Sequence, residues 1–267
     1  MTDPSRRDDW QSWRNARTEA AGAPYGPLAL TGTHWLDEPP AAPAALPGLP
    51  GRWSAGTGDA AGTVVVTAAA EDGLTADGVP VDGTVRLRPD TDPAPSTLTL
   101  GERRLVPIRR EGVFAVRVYD PDSAARAAFA GIDAYEWSAA WALPAVFTPY
   151  GDDRIVAVPN ADGRERGLAL AGEVAFELGG ETRTLKVSRT GTGLSTVLGD
   201  ATSGRETFRF RFLTLPAPDA DGRTELDLNR AHLPPCAFAD HFICPFPPPG
   251  NVLPVAVEAG EKSVLRR

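Results

Sequence analysis

The sequence has no apolar run near its N-terminus long enough for a signal peptide, and no stretch elsewhere long enough to span a bilayer. A soluble, cytoplasmic protein is the expectation, with no membrane as partner. Basic residues are in short supply too: 27 Lys and Arg stand against 35 Asp and Glu, for a formal net charge of −8. Phosphate backbones and anionic lipids are bound by clustered Lys and Arg, and the few basic pairs here, such as Arg103-Arg104 and Arg109-Arg110, are scattered. Nucleic acid is therefore disfavoured. No GxSxG elbow, P-loop or GxGxxG occurs, which removes the motifs of serine hydrolases, nucleotide hydrolases and dinucleotide-binding enzymes. No cofactor is expected. Only two cysteines occur, Cys236 and Cys244, and cytosolic thiols stay mostly reduced.

What the chain does have is glycine and proline, 27 and 26 of them in 267 residues. Helical bundles do not tolerate that composition, whereas sandwiches and barrels of short strands need its turns. One helix is expected at the N-terminus, capped by Asp3 or Ser5, with Trp10, Trp13 and Arg17 on one face at i, i+3, i+7. Two tryptophans on one face must bury against something, so this helix should dock on a sheet. The run 39–51, PPAAPAALPGLPG, reads as an extended, semi-rigid connector. After it, short strands are expected over 63–67, 79–87, 96–100, 103–108 and 113–119. The hairpin at Glu111-Gly112 would place Phe114, Val116 and Val118 on one face.

From Arg154 a second body begins. Strand 173–178 pairs with 182–188 across Gly179-Gly180, a dipeptide suited to a two-residue turn. In 199–207, GDATSGRET, Asp200 should accept backbone amides and Gly204 should take positive φ. The aromatics Tyr135, Trp137, Trp141, Phe147 and Tyr150 read either as core packing or as the wall of an apolar pocket. Strand 207–215 carries Phe208, Phe210 and Phe212 on one face and Arg209 and Arg211 on the other. Its expected partner is 225–229, reached through the Asp221-Gly222 turn. Leu226 and Leu228 then share the phenylalanine side, which sets Arg209 and Arg211 beside Asp227 and Asn229. That polar face is either an exposed salt-bridge ladder or the lining of a barrel interior or mouth, where barrels commonly hold ligands.

The stretch 225–262 organises the rest. Pro234, Pro235, Pro245, Pro247, Pro248 and Pro249 exclude helix and central strand, while Phe238, Phe242, Ile243 and Phe246 argue for burial rather than disorder. An ordered strap against a β body is expected, followed by a closing strand around Val255 and Val257. His232, Cys236, His241 and Cys244 have the residue types of a metal site, but their spacing is not a recognised one, and no metal is expected. A structural cysteine pair, reduced and close or bridged, is the main alternative; a reactive thiolate with His232 or His241 as base is another.

In this stretch Asp227-Leu228-Asn229-Arg230-Ala231, Pro234-Pro235-Cys236-Ala237-Phe238, Cys244-Pro245, Pro247-Pro248, Asn251, Leu253-Pro254 and Ala259-Gly260-Glu261-Lys262 recur at offsets that resemble the signature of the bacterial family DUF 1684, a domain of unknown function. The resemblance extends to Gly199–Thr207 and, faintly, to Gly32–Leu36. It departs from the family pattern at Leu228, at His232-Leu233 and at Phe210-Arg211. It implies a β-rich fold and no established activity. Some members of that family are exported lipoproteins, which leaves a bridged cysteine pair open.

The expected architecture is mostly β: an N-terminal helix and lead-in (1–38), a small β-sandwich-like half (39–125), and a larger β-barrel-like half closed by the proline-rich strap (126–267). The preferred function is a small-molecule enzyme or ligand-processing barrel that uses cofactor-independent acid–base chemistry. Asp227, His232 and Glu206 are its candidate catalytic groups, and Arg209, Arg211, Asn229, Trp141 and Asn251 its candidate substrate contacts. A non-catalytic binding or scaffolding module is the alternative.

Overall fold

The computed structural model describes residues 4–36 and 42–267. Its chain forms two compact units, Gly22–Ala127 and Met1–Ala21 with Ala128–Arg267. Asp3 and the start of the proline-rich run, 39–41, lie outside the described residues.

In Gly22–Ala127 the strands are β1 (Leu30–Trp35), β2 (Arg52–Ala55), β3 (Val64–Ala68), β4 (Leu74–Ala76), β5 (Val79–Pro80), β6 (Gly83–Leu87), β7 (Leu98–Leu100), β8 (Arg103–Arg110) and β9 (Val113–Tyr119). They form two antiparallel sheets, ordered β1-β9-β8-β7-β4-β5 and β2-β3-β6. Trp53, Val64, Val66 and Leu87 of the smaller sheet share one core with Leu74, Leu98, Leu105 and Val116 of the larger, so the unit is sandwich-like. The β8–β9 turn falls at Glu111-Gly112, both at positive φ (49° and 87°), as a two-residue hairpin requires. Phe114, Val116 and Val118 join the core from one face of β9. The run after residue 41 is part of this unit: Ala44 and Trp53 exchange backbone hydrogen bonds of 2.8 Å, and Leu46 and Leu49 are buried.

The other unit begins with helix α1 (Pro4–Gly22). Pro4 opens it, which suits a residue with no amide to donate; Ser5 lies inside the helix and is not its cap. The face read from the spacing does dock: Trp10 Nε1 donates to Asn229 O at 3.0 Å, Trp13 meets the His232 ring edge-on, and Arg17 grips Glu261.

The strands of this unit are β10 (Phe129–Ala134), β11 (Ala142–Pro159), β12 (Glu165–Leu178), β13 (Glu181–Thr190), β14 (Gly193–Leu198), β15 (Arg211–Pro216), β16 (Arg223–Asp227) and β17 (Glu261–Arg266). Six of them form one antiparallel sheet, β15-β14-β13-β12-β11-β16, that curls into a nearly closed barrel. Its interior is filled by alternate residues such as Val174, Phe176, Leu185, Leu194, Leu213 and Leu226. A barrel this narrow has room for side chains and little else. The β12–β13 turn is Gly179-Gly180, at φ 68° and 79°.

The expected pairing of 207–215 with 225–229 does not occur. The Asp221-Gly222 turn forms, with Gly222 at φ 79°, but β16 pairs with Ala142–Val146 of β11, and β15 pairs with β14. The free edge of β15 is met by the strap instead, where Phe212 and His232 exchange backbone hydrogen bonds of 2.8 Å. Phe208 and Phe210 precede the strand. The closing strand is β17, not the segment around Val255 and Val257, and it pairs with β10.

The distal half of the β11–β12 hairpin runs on as an arm whose tip is tied to the strap: Phe246 N donates to Pro159 O, Ala161 N to Cys244 O, and Asn160 Nδ2 to Ile243 O, all at 2.9 Å.

Candidate functional site

Strand alternation decides where a ligand can go. On β13, Leu185 and Val187 enter the barrel core, so Lys186 and Ser188 face outward. On β14 and β15, Leu194, Leu213 and Leu215 likewise point in, and Ser195, Val197, Phe212 and Thr214 point out. This outer face is the floor of a hollow of about 250 Å³. Leu168 and Leu170 of the arm and Pro245 and Pro248 of the strap line it as well, and His232 completes it. The cavity thus lies outside the barrel wall, beneath arm and strap, and not in a barrel interior.

Two cross-strand rows make the floor. Ser188 stands opposite Ser195, and Ser195 opposite Thr214, a row of hydroxyls. Beside it, Val197 stands opposite Phe212 and Phe212 opposite His232. At the other end of this apolar row Lys186 and Val197 flank the side chain of Asn251. That amide is fully buried and replaces a rung of the ladder: its Oδ1 accepts from Lys186 N (2.8 Å), and its Nδ2 reaches Lys186 O (2.9 Å), Val197 O (3.0 Å) and Thr196 Oγ1 (3.0 Å). An interior strand pair that opens must have its polar groups satisfied by something, and Asn251 brings both a donor and an acceptor.

His232 separates this hollow from a second one of about 380 Å³, bordered by Trp13, Thr192, Arg230 and Pro216. Its Nδ1 lies 3.2 Å from Arg230 O. A carbonyl only accepts, so Nδ1 carries the hydrogen and Nε2 offers a lone pair. The rings of Trp13 and Phe212 meet it edge-on. Burial, and then the charge of Arg17, push its pKa below the ordinary 6.5, against the opposing pull of the Arg230 carbonyl and Glu261. It is neutral at pH 7. Below pH 6.5 the unfolded chain takes up a proton that folded His232 resists, so stability declines as pH falls. Denaturant midpoints measured from pH 7 down to about pH 5 should decline in the wild type and decline less in His232→Gln.

The other expected site residues fall elsewhere. Arg211 is fully buried and pairs not with Asp227 but with Asp200 (2.7 Å), while donating to the carbonyls of Val257 and Ala259. Asp200 Oδ1 accepts from Thr202 N and Oγ1 and from Val257 N, and Gly204 has φ 75°, as the Asx-turn reading required. Burial raises the Asp200 pKa, but Arg211 and the Thr202 bonds outweigh it and hold the carboxyl below its usual range. Arg209 lies over the ring of Phe246 at 5.0 Å. Asp227 accepts from Asn229 N and Nδ2, and buried Asn229 ties to both backbone polar groups of Ser138. Glu206 accepts from Tyr135, whose hydroxyl is pushed up to about 12 by burial and by that bond. Trp141 packs on the barrel core. Of the nominated groups, the structure brings only His232 to the hollow, with Asn251 beneath its floor. Lys186 went unread, although the alternation of Leu185 and Val187 around it was available.

Cys236 and Cys244 are buried thiols in contact: Cys236 N donates to Cys244 Sγ at 3.3 Å, within a cluster that includes Phe210 and Phe246. The hydrogen bond with Cys244, and then burial, raise the Cys236 pKa, the opposite of what a reactive thiolate needs. Among the described residues no group of three or more His, Cys, Asp and Glu is gathered as a metal would require, and no helix is long and apolar enough to cross a membrane.

A family model described as a protein of unknown function (DUF1684) matches residues 127–262. No curated protein matches the chain. Among solved structures, the chain is similar to an uncharacterized protein of Haloarcula marismortui, determined by solution NMR, with 29% sequence identity, coverage of 51% of this chain and 77% of that one, and a TM-score of 0.42.

Proposed function

The chain belongs to the DUF1684 family, whose description assigns no activity, so the site has to carry the reading, and we propose that the protein binds a small, largely apolar molecule beneath its strap, with His232 as the base that acts on it. The observation that carries this reading is the neutral His232 imidazole at the end of the hollow, its tautomer set by Arg230 O so that Nε2 is the proton acceptor. A general base works best when it is unprotonated at working pH and held in one orientation. The apolar floor raises the strength of any polar contact made there, because water is displaced. No cofactor is needed for proton abstraction.

The test is a fragment screen by ligand-observed NMR. Binders should be lost in Ser195→Phe, which fills the hollow from its floor, and converted by the wild type but left unchanged by His232→Gln. Binders indifferent to Ser195→Phe would sink the cavity. Binders that require the hollow yet are never converted would leave a binding module, the alternative reading.

A further inference from the structure

Taking the hollow beneath the strap as the ligand site, as above, we propose that its ligand is an amphiphilic monocarboxylate, with an apolar chain over Val197 and Phe212 and its carboxylate on the Lys186 ammonium. With His232 neutral, Lys186 carries the only formal charge among the residues that line the hollow. Its Nζ donates to Pro249 O at 2.8 Å on the strap. An ammonium has three N–H groups, and among the described residues no carboxylate oxygen lies within 4 Å of this one. The neighbouring row of the floor, Val197 and Phe212, is apolar, and a cation beside low-dielectric surface attracts an anion more strongly than one in open solvent.

The floor sets the rest of the ligand. Lys186, Val197, Phe212 and His232 follow one another across neighbouring strands, with the Asn251 side chain wedged between the first two. Val197 and His232 are two steps of about 4.8 Å apart, and the wedged pair is wider than one step, so the charged end lies more than about 14 Å from the imidazole end along the row at backbone level. Between them the row is apolar. The hollow's volume, about 250 Å³, equals that of roughly eight waters, enough for a short acyl chain. A phosphate dianion would call for more donors than one lysine offers, whereas a carboxylate matches a single ammonium. The site is also preorganised: Asn251 holds Lys186 by both N–H and C=O, and the two prolines of the roof lose little freedom when a ligand enters.

Isothermal titration of the full chain with octanoate, octanol and octylamine tests this. Octanoate should bind about tenfold or more tighter than octanol, with octylamine weakest, and Lys186→Met should bring octanoate down to the affinity of octanol while octanol itself is unaffected. Octanol binding the wild type as tightly as octanoate would overturn the ligand class and leave the hollow standing. A preference for octanoate that survives Lys186→Met would place the anion elsewhere and overturn it too. If none of the three binds, the reading of the hollow falls with it. The wild-type comparison alone decides the class, should Lys186→Met fold poorly.

Discussion

Asp200→Ala should destabilise the barrel unit by about 3–5 kcal/mol, the usual cost of leaving one member of a buried ion pair without its partner. Both side chains are fully buried. Arg211 keeps its bonds to the Val257 and Ala259 carbonyls, but those dipoles do not neutralise a guanidinium taken out of water. The alanine also strips Thr202 and Val257 N of their acceptor. Guanidinium unfolding of the wild type, of each single variant, and of Asp200→Ala combined with Arg211→Met measures the pair. The double variant should lose less than the two singles together, because it buries no lone charge; strict additivity would mean that the two residues act independently. The acid limb supplies a second readout. Asp200 has a depressed pKa, so its stabilisation is present above the unfolded value of 3.8 and is lost as pH falls through the folded one. Removing the carboxyl should flatten that part of the profile.

Asn251→Leu should cost about 3 kcal/mol or more, since its amide satisfies the Lys186 N–H and carbonyl, the Val197 carbonyl and the Thr196 hydroxyl in a place water does not reach. Asn251→Asp should be no milder. It sets a carboxylate oxygen against the Lys186 and Val197 carbonyls, to which the amide nitrogen had donated. The specific readout is the Lys186 amide, whose hydrogen exchange should rise far more than that of Leu185, its neighbour in the β12–β13 ladder. Equal rises would point to general unfolding rather than to loss of this one rung. Ligand affinity should fall as well, because Lys186 and Val197 would no longer be held apart at the floor.

Local chemistry was legible where the cause is local. Glu111-Gly112 and Gly179-Gly180 are turns because their φ demands admit few residues, and the Asp200 turn follows from a carboxylate two residues before an amide. The docking face of α1 was readable from Trp10, Trp13 and Arg17, though not what each would meet. Strand pairing was not legible in the same way. Alternation groups side chains along one strand but is silent on which strand lies alongside: Leu226 and Leu228, expected on the side of Phe208, Phe210 and Phe212, enter the barrel core, while the phenylalanines pack outside it. β15 found β14 on one edge and the strap on the other, so the polar face assembled from Arg211 and Asp227 never formed. Arg211 instead answers carbonyls some fifty residues away, at Val257 and Ala259. The strap itself was legible as an ordered, proline-stiffened segment, while the role of Asn251 depends on a gap between β13 and β14 that no pattern announces.

The pairing of α1 with the far end of the chain carries a further consequence. Arg17 of α1 and Glu261 of β17 are 244 residues apart in sequence. On the ribosome Gly22–Ala127 can complete its sandwich while α1, already emerged, still lacks the surface that buries Trp10 and Trp13. The helix must wait, its apolar face uncovered, until Glu261 is translated and the strap is in place. A helix made before the sandwich is thus secured after it, and chaperone demand during synthesis should fall on those two tryptophans.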